Sequence, residues 1–305
     1  MKRDFISILD AKDDLISLLD SSANLKNRQK DGELYEPLKN RALAMIFEKP
    51  STRTRVSFEI AMTQLGGHAL YLNPKDLQLG RGETVADTAR VLSRYADAIM
   101  YRGFSHATTR ELARYSDVPV INGLDDLEHP CQTVADLLTF RERRRGFEGL
   151  KLAYVGDGNN VCNSLMVGCA IAGLDVSVAT PPKYGPDAAL VGEAKAIAGK
   201  KGTRVSLTED PVEAVGDADA VYTDTWISMG MESENEARKK VFRPYQVNSG
   251  LLEHAKEDCI VLHCLPAHRG EEITDEVLDG KRSVVFDQAE NRLHAQKAIL
   301  LKLMT

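Results

Sequence analysis

Short apolar runs with the character of β-strands alternate along this chain with amphipathic segments of helical spacing. In the first half the runs are ALAMIF, HALYLN, DAIMYRG and VPVING, separated by segments such as VSFEIAMTQL and TVADTARVLSRY. In the second half they are KLAYVGDG, DVSVATP, RVSLTE, AVYTDTW, CIVLHCLP and SVVFDQ. Strands that alternate with helices form parallel sheets through crossover connections. The pattern therefore predicts an α/β fold built on doubly wound parallel sheets.

A charged cluster, RERRRGFEG, separates the two series of strands. It overlaps the end of a helix predicted from about Pro130 to Arg144, and 305 residues are enough for two domains of ordinary size. We therefore predict a first domain over residues 1–140 and a second over 141–291. A further amphipathic helix, Arg292 to Met304, ends the chain.

The composition limits the kinds of partner that the chain can have. A net charge of −6 gives no support for nucleic acid or an anionic membrane as a partner. The N-terminal stretch MKRDFISILDAKDD has acidic residues where a signal peptide needs an apolar core, and no apolar run approaches the ~20 residues that span a bilayer. Five cysteines without framework spacing favour a reducing compartment. We therefore expect a cytoplasmic protein.

The segment Glu48–Arg55, EKPSTRTR, places two guanidiniums and three hydroxyls between a predicted strand and a predicted helix. Backbone N–H groups at a helix start, the positive end of the helix dipole and fixed cations together favour a dianionic phosphate. The plain alternative is a capped helix start with both arginines on a solvated face. The segment does not match GxxxxGK[ST], so a triphosphate held in the P-loop manner is not expected.

Other polar clusters follow predicted strands in the same way: YRG, NGLDDLEHPCQ, GDGNN, DTWISMG and HCLPAHRG. Open α/β sheets bind ligands at the carboxyl ends of their strands. We therefore predict that these clusters form one cleft between the two domains. Arg102, in YRG, is predicted to be a second clamp on the anion, although a single arginine is often only solvated.

The motif HPCQ places His129 directly before Pro130, a residue that is normal at the first position of a helix. The motif is therefore also consistent with a plain capped helix. A histidine near a helix N-terminus tends to stay neutral and can donate to an oxygen without a change of charge. Gln132, one turn further on, can hydrogen-bond an amide-like group.

The cluster GDGNN resembles part of a dinucleotide-binding loop, but the third glycine of GxGxxG would fall at Val161. The following strand, DVSVATP, also ends without the acidic residue that binds a ribose hydroxyl. We therefore exclude a nicotinamide dehydrogenase, and Asn159 and Asn160 are left for a polar substrate. In DTWISMG, Asp224 can pair with an ammonium group or can be an ordinary turn aspartate.

The segment HCLPAHRG contains Cys264 and two histidines, which suggests zinc at first sight. The spacing matches neither CxxC nor HExxH and includes a proline, so no metal site is predicted. Cys264 as a covalent nucleophile stays open, although no neighbouring motif specifies a base.

Taken together, these clusters resemble the aspartate/ornithine transcarbamoylase family over essentially the whole chain. STRTR followed by HPxQ is similar to that family's carbamoyl-phosphate domain. Asp224 with SMG, and HCLP rather than HPLP, resemble the branch that acts on ornithine, and QLGRGE at Gln78–Glu83 stands where the aspartate enzymes have a serine-and-lysine loop. Asp125, Asp126 and Glu128 make the loop before His129 acidic, and the resemblance gives them no function.

The resemblance implies a role for each matching position. Carbamoyl phosphate is expected to bind the following residues, of which Gln78 comes from a neighbouring subunit: Ser51, Thr52, Arg53, Thr54, Gln78, Arg102, His129, Pro130, Cys131, Gln132, Cys264, Leu265 and Arg292. The catalytic set is expected to be Arg53, Thr54, Arg102, His129, Cys264 and Arg292. Ornithine is expected to bind Asn160, Asp224, Ser228 and Met229.

The implied reaction converts carbamoyl phosphate and L-ornithine into L-citrulline and phosphate, without a cofactor or a metal, as a step of arginine biosynthesis or of a urea-type cycle. A homotrimer, or a larger assembly of trimers, is the implied form, and the final helix is expected to pack back on the first domain. Two alternatives remain: a transferase for another amine, such as putrescine or aspartate, and a non-catalytic module that binds carbamoyl phosphate. The direction of the reaction in the cell stays open.

Overall fold

The computed structural model of the chain describes residues 2–73, 75, 77–79, 82–227 and 235–305. The chain divides into two compact units. The first unit runs to Leu138 and includes Glu290–Thr305, and the second is Thr139–Ala289. These bounds lie two residues before the predicted domain ends at 140 and 291, and the predicted domain limits stay a prediction.

The first unit is built on a four-stranded parallel sheet with the order β2-β1-β3-β4. Its strands are β1 (Ala42–Phe47), β2 (His68–Leu72), β3 (Ala98–Arg102) and β4 (Val120–Leu124). The helices of this part of the chain are α1 (Leu15–Lys30), α2 (Thr52–Gln64), α3 (Val85–Leu92), α4 (His106–Tyr115) and α5 (Pro130–Arg144), after a short 3-10 helix at Ile8–Ala11.

The second unit is built on a five-stranded parallel sheet with the order β7-β6-β5-β8-β9. Its strands are β5 (Lys151–Val155), β6 (Asp175–Ala179), β7 (Val205–Thr208), β8 (Ala220–Thr223) and β9 (Ile260–His263). The helices that follow α5 are α6 (Asn160–Ala172), α7 (Ala188–Lys201), α8 (Pro211–Val215), α9 (Asn235–Phe242), α10 (Ser249–Leu252), α11 (Asp275–Leu278) and α12 (Val285–Met304), with a 3-10 helix at Arg243–Tyr245. The predicted fold class, two α/β domains with parallel sheets, is confirmed.

One predicted element is wrong. The run SVVFDQ was expected to be a strand, but Ser283 makes only an isolated bridge with Val261, and α12 begins at Val285. A short apolar run cannot be assigned by periodicity alone, because a buried helix end looks the same as a strand. The final helix is therefore longer than the predicted Arg292–Met304.

Among the helices of the described residues, none is long and apolar enough to cross a membrane.

Strand register decides which loops lie side by side within each unit. In the first unit Phe47 is opposite Arg102, and the Glu48 N–H donates to the carbonyl of Arg102 at 2.8 Å. In the second unit Tyr154 is opposite Tyr222, and Thr223 is opposite His263. Parallel strands send their carboxyl ends to the same edge. Each sheet therefore gathers its own polar loops at one edge.

Replacing Gly158 with Ala should destabilise the protein, because the added methyl would lie 2.3 Å from the backbone of Gly185 and Pro186. We expect a loss of about 1–3 kcal/mol, typical of overpacking. The matched control is Gly192→Ala in the middle of α7, where no atom beyond the adjacent residues and the nearby helix backbone lies within 4 Å of the new methyl. That change should gain about 0.5–1 kcal/mol through helix propensity. Urea denaturation of both variants would measure this, and equal stabilities would contradict the packing of this loop.

Candidate active site

The segment EKPSTRTR forms the turn between β1 and α2. Ser51 is the N-cap of α2, and its hydroxyl oxygen accepts from the backbone N–H of Thr54 at 3.2 Å. The capping interpretation of the motif is therefore correct for Ser51. A hydroxyl that accepts a hydrogen bond still has its proton to donate, so capping and anion binding are compatible. Arg53 is half-buried and Thr52 is exposed in this first turn.

The hydroxyl of Thr54 connects two buried arginines. It accepts from the Arg102 guanidinium at 3.3 Å and from the Arg292 guanidinium at 2.9 Å. These arginines come from β3 and α12, which are distant in sequence from α2. A hydroxyl has two acceptor lone pairs and one proton. Because both lone pairs face guanidiniums, the hydroxyl proton of Thr54 is not used by these arginines and remains available to another acceptor.

His129 lies directly before α5, which begins at Pro130 as predicted. The imidazole is buried, and burial lowers its pKa well below 6.5. The positive charges of Arg292, Arg102 and Arg53 lower the pKa further. His129 is therefore a neutral group in a positive field, able to donate one hydrogen bond without carrying charge.

Gln132 and Arg292 belong to the same cluster. The carbonyl oxygen of Gln132 accepts from Arg292 at 2.5 Å, and its amide nitrogen donates to Asp136 at 2.7 Å. Asp136 thereby fixes which end of the amide faces the arginine. The structure brings together Thr54, Arg102, His129, Gln132 and Arg292, all from the predicted set.

Lys49 is a cation near the cluster that sequence reasoning missed. Burial lowers its pKa, and the nearby charge of Arg102 lowers it further. Its ammonium lies 4.5 Å from the centroid of the Phe104 ring. Lys49 was visible in EKPSTRTR, but only the fold shows that it shares the field of Arg102. Cations crowded in this way favour an anionic ligand.

Two other predicted residues, Cys131 and Gln78, make their hydrogen bonds to groups outside this cluster. The Cys131 thiol is fully buried and donates to the Asn122 carbonyl at 3.3 Å, and burial raises its pKa to about 12. Gln78 is exposed on the segment after β2, where its carbonyl accepts from the N–H of Glu83 at 3.4 Å.

In the second unit, the loops after β5, β8 and β9 meet at Asp224. Its carboxylate accepts from the Asn159 amide at 2.8 Å and from the Cys264 thiol at 3.0 Å. Asn159 is the N-cap of α6, so its side-chain oxygen accepts from backbone N–H groups while its NH₂ group faces Asp224. Asn160 is the first residue of α6 and is half-buried. The predicted Ser228 and Met229 lie outside the described residues.

Asp157 and Arg238 form a buried ion pair at 2.6 Å that the sequence did not indicate. Arg238 also donates to the Trp226 carbonyl at 2.7 Å. Burial raises the pKa of Asp157 to about 6, Arg238 opposes the rise, and the charge of Asp224 adds to it. Asp157 stands in GDGNN, but nothing in the sequence pairs it with an arginine on α9.

The loop after β9 is held by His263. One ring nitrogen accepts from the Leu265 N–H at 2.9 Å, so the other carries the proton and donates to Glu272 at 3.1 Å. Asp224, His263 and Cys264 each offer one possible metal ligand within 4.8 Å of the others. Both nitrogens of His263 are used by protein groups, and we assign no metal here.

Two protein-family models match the chain. Residues 3–142 match the carbamoyl-P binding domain of aspartate/ornithine carbamoyltransferase, and residues 148–303 match the Asp/Orn binding domain. The chain belongs to the aspartate/ornithine carbamoyltransferase family. The resemblance seen in STRTR, HPCQ and HCLP is confirmed.

Members of the carbamoyltransferase family resemble the chain along its length. It is 57% identical to the ornithine carbamoyltransferase of Anoxybacillus flavithermus, over 99% of this chain and 96% of that protein. It is 55% identical to a catabolic ornithine carbamoyltransferase of Thermoplasma volcanium, over 100% of this chain and 99% of that protein. The solved ornithine carbamoyltransferase of Pyrococcus furiosus superposes with a TM-score of 0.97 at 55% identity, over 99% of this chain and 97% of that chain.

We predict that His129 stays neutral on acidification, whereas His106 becomes protonated. Burial and nearby arginines lower the pKa of His129, while a hydrogen bond to Asp125 raises that of His106. Below pH ~6.5 the unfolded chain protonates at His129 and the folded chain does not, so this residue reduces the stability of the fold as the pH falls. His106 has the opposite effect on stability. Its stabilising contribution is present at low pH and is lost as the pH rises through its raised pKa.

The measurement is a pH titration of imidazole ¹⁵N shifts, in the wild type and in Arg292→Met. Losing one cation should raise the pKa of His129 and leave it below 6.5, because burial is the larger cause. His106 is the internal control and should not change. An unchanged His129 would contradict the proximity of Arg292.

Proposed function

We propose that the chain is an ornithine carbamoyltransferase, which transfers the carbamoyl group of carbamoyl phosphate to the δ-amine of L-ornithine. Membership of the carbamoyltransferase family gives the reaction class. Within the site, the main support is that Arg102 and Arg292 both donate hydrogen bonds to the Thr54 hydroxyl. The neutral His129 lies in the field of the same arginines. These groups suit a substrate that has both a dianionic phosphate and an uncharged carbonyl.

The first unit would bind carbamoyl phosphate. Ser51, Thr52, Arg53 and Arg102 are assigned to the phosphate, through hydroxyls, N–H groups of the first turn of α2 and guanidinium charge. Thr54, His129 and Arg292 are assigned to the carbonyl oxygen, and Gln132 to the carbamoyl NH₂. Pro130 and Cys131 are assigned to the walls of the carbamoyl site, and so are Cys264 and Leu265 of the second unit.

The second unit would bind ornithine. Asp224 is a buried carboxylate next to Asp157, so the local field favours a cation such as the α-ammonium group. Asn160, Ser228 and Met229 are assigned to the rest of the amino acid. The Cys264 thiol donates to Asp224, so the two side chains have a fixed relation and are suited to position the amine.

The chemistry would proceed by direct attack. The neutral δ-amine adds to the carbonyl carbon, negative charge grows on the carbonyl oxygen, and the carbon–oxygen bond to phosphate then breaks. The attacking nitrogen passes its proton to the departing phosphate or to water, and citrulline and phosphate are formed. Donors preorganised around the oxygen stabilise that charge. The loss of one such donor typically raises the barrier by about 3–4 kcal/mol. No covalent enzyme intermediate, metal or cofactor enters this scheme. The placement of both substrates in one interdomain cleft stays a prediction.

We also propose a homotrimer, or an assembly of trimers, in the cytoplasm. Gln78 is exposed within its own chain, which is compatible with its use by a neighbouring subunit. In that arrangement each phosphate would be bound by one chain's Arg53 and the next chain's Gln78. Sedimentation would give the number of chains, and sigmoidal carbamoyl-phosphate saturation with a mass near twelve chains would favour the catabolic direction.

We predict that the purified protein forms citrulline from carbamoyl phosphate and ornithine, and no carbamoylated product from putrescine or aspartate. Parallel assays of phosphate release with the three amines are the measurement. Turnover with putrescine alone would overturn the choice of substrate. Carbamoyl-phosphate binding without phosphate release from any of them would favour the non-catalytic module.

Two threonines of α2 allow the role of the Thr54 hydroxyl to be tested against a matched control. Thr54→Val removes the hydroxyl between the guanidiniums and should lower kcat by about 10²–10³-fold. Thr63→Val is the matched change, because the Thr63 hydroxyl is exposed and donates only within α2, to the Glu59 carbonyl. Its kcat should be that of the wild type.

A mixture of two variants, each with weakened use of carbamoyl phosphate, should regain some activity if the site is shared between subunits. Gln78→Ala and Arg53→Met each remove one of the side chains assigned to the phosphate, from opposite sides of the proposed subunit interface. After subunit exchange, hybrid trimers contain interfaces with both wild-type residues, so part of the citrulline production should return. Mass spectrometry of the assembly would verify exchange, and verified exchange without recovery would count against the shared site.

A further inference from the structure

The acidic loop between β4 and α5 has no part in the chemistry proposed above. It contains Asp125, Asp126 and Glu128, directly before His129. Asp125 and Glu128 are buried, at 0% and 1% exposed. Burying a carboxylate is costly unless hydrogen bonds and charge compensate it. Two such residues beside a substrate-binding histidine call for a physical explanation.

Asp125 is the centre of a hydrogen-bond network. One carboxylate oxygen accepts from the His106 ring, the Thr109 hydroxyl and the Asn122 amide, each at 2.8 Å. The other accepts from the backbone N–H groups of Leu127 and Glu128 at 3.0 and 2.9 Å. These donors come from α4, from β4 and from the loop itself. One carboxylate thus connects the helix α4 and the strand β4 to the loop that leads to His129.

Glu128 extends the network to the N-terminal segment. Its side chain accepts from the Ile8 N–H at 3.0 Å, and its carbonyl accepts from the Asp125 N–H at 3.1 Å. Both the backbone and the side chain of the residue before His129 are therefore fixed. The carbonyl of His129 in turn accepts from the N–H groups of Gln132 and Thr133 at the start of α5.

We infer that Asp125 is a positioning residue, which orients the His129 imidazole toward the carbonyl oxygen of carbamoyl phosphate through the backbone of Leu127 and Glu128. The inference rests on the proposed function, because it takes the carbonyl oxygen as the partner of His129. Asp125 does not touch the substrate in this scheme. A displacement of about 1 Å at a catalytic group can cost roughly 10²-fold in rate, so a rigid loop has a direct kinetic value.

Asp125→Asn tests the network with little change of shape. The amide keeps one oxygen and replaces the other with an NH₂ group, which would face N–H or O–H donors. The loop must then rearrange. Asp126→Asn is the matched control: one Asp126 oxygen accepts from the His106 backbone N–H at 2.7 Å, and asparagine retains an oxygen for this bond.

A double-mutant cycle separates positioning from general stability. Asp125→Asn should lower kcat by about 10²-fold in the wild type, and by less than about 2-fold in a His129→Ala background, because the positioned group is then absent. Asp126→Asn should leave kcat unchanged in both. An equal loss from Asp125→Asn in the two backgrounds would overturn the inference.

Labelling with diethyl pyrocarbonate, read by mass spectrometry, gives a result that does not depend on activity. His129 and His294 are both buried, and both have lowered pKa values, so both are neutral and protected. Asp125→Asn should increase labelling at His129 and not at His294; His106, whose ring loses its carboxylate partner in this variant, is left out of the comparison. Equal increases at both, or no increase at His129, would overturn the inference. If the wild type made no citrulline, the proposed function would fail and labelling alone would decide the position of His129.

Thr109→Val serves if Asp125→Asn does not fold. It removes one of the donors to Asp125 and nearly preserves side-chain volume. Thr109→Val should lower kcat by less than Asp125→Asn does, and it should have almost no effect on kcat in the His129→Ala background. It should also increase labelling at His129 and not at His294. Additive losses, or unchanged labelling of His129, would again overturn the inference.

Discussion

The hydroxyl of Thr54 is the contact on which the first unit's site depends. Through it, guanidiniums from β3 and α12 are held at the first turn of α2. A hydroxyl satisfies the geometry of two arginines without neutralising their charge. The effect is visible at His129, whose pKa is lowered by burial and then by cations alone: Arg292, Arg102 and Arg53. The fold therefore maintains a positive, partly desolvated region, in which an anion is the natural counterion and in which electrostatic interactions are stronger than in water.

The second unit has the opposite electrostatic character. Asp224 is buried and accepts from neutral donors, the Asn159 amide and the Cys264 thiol. The charge of Asp224 raises the pKa of Asp157, although Arg238 pairs with that residue. A site with excess negative charge suits an ammonium group, as the first suits a phosphate. The two units thus have complementary preferences, one for each substrate of a carbamoyl transfer. Neither preference needs a metal, because charges for both ligands are already present as side chains.

Sequence reasoning succeeded where the signal is local. STRTR, HPCQ and HCLP specify residue types, order and the kind of loop that carries them, so the fold class and family could be predicted. It failed where the signal depends on neighbours distant in the chain. SVVFDQ is apolar enough for a strand, yet it makes only the isolated bridge of Ser283 with Val261 and then continues into α12. The pairing of Asp157 with Arg238, and the donors gathered on Asp125, join residues from separate elements and leave no pattern at any fixed spacing.

The sequence by itself determined the alternation of strands and helices, the parallel sheets that follow from it, and the chemical types at each strand end. These are consequences of periodicity and of local turn chemistry, which act over a few residues. Only the tertiary structure decided which of those types touch. Register places Arg102 beside the end of β1, and α12 brings Arg292 to a threonine far away in sequence. Burial then keeps His129 neutral and raises the pKa of Asp157. Contacts and desolvation are properties of the packed chain, so they cannot be derived from the order of the residues alone.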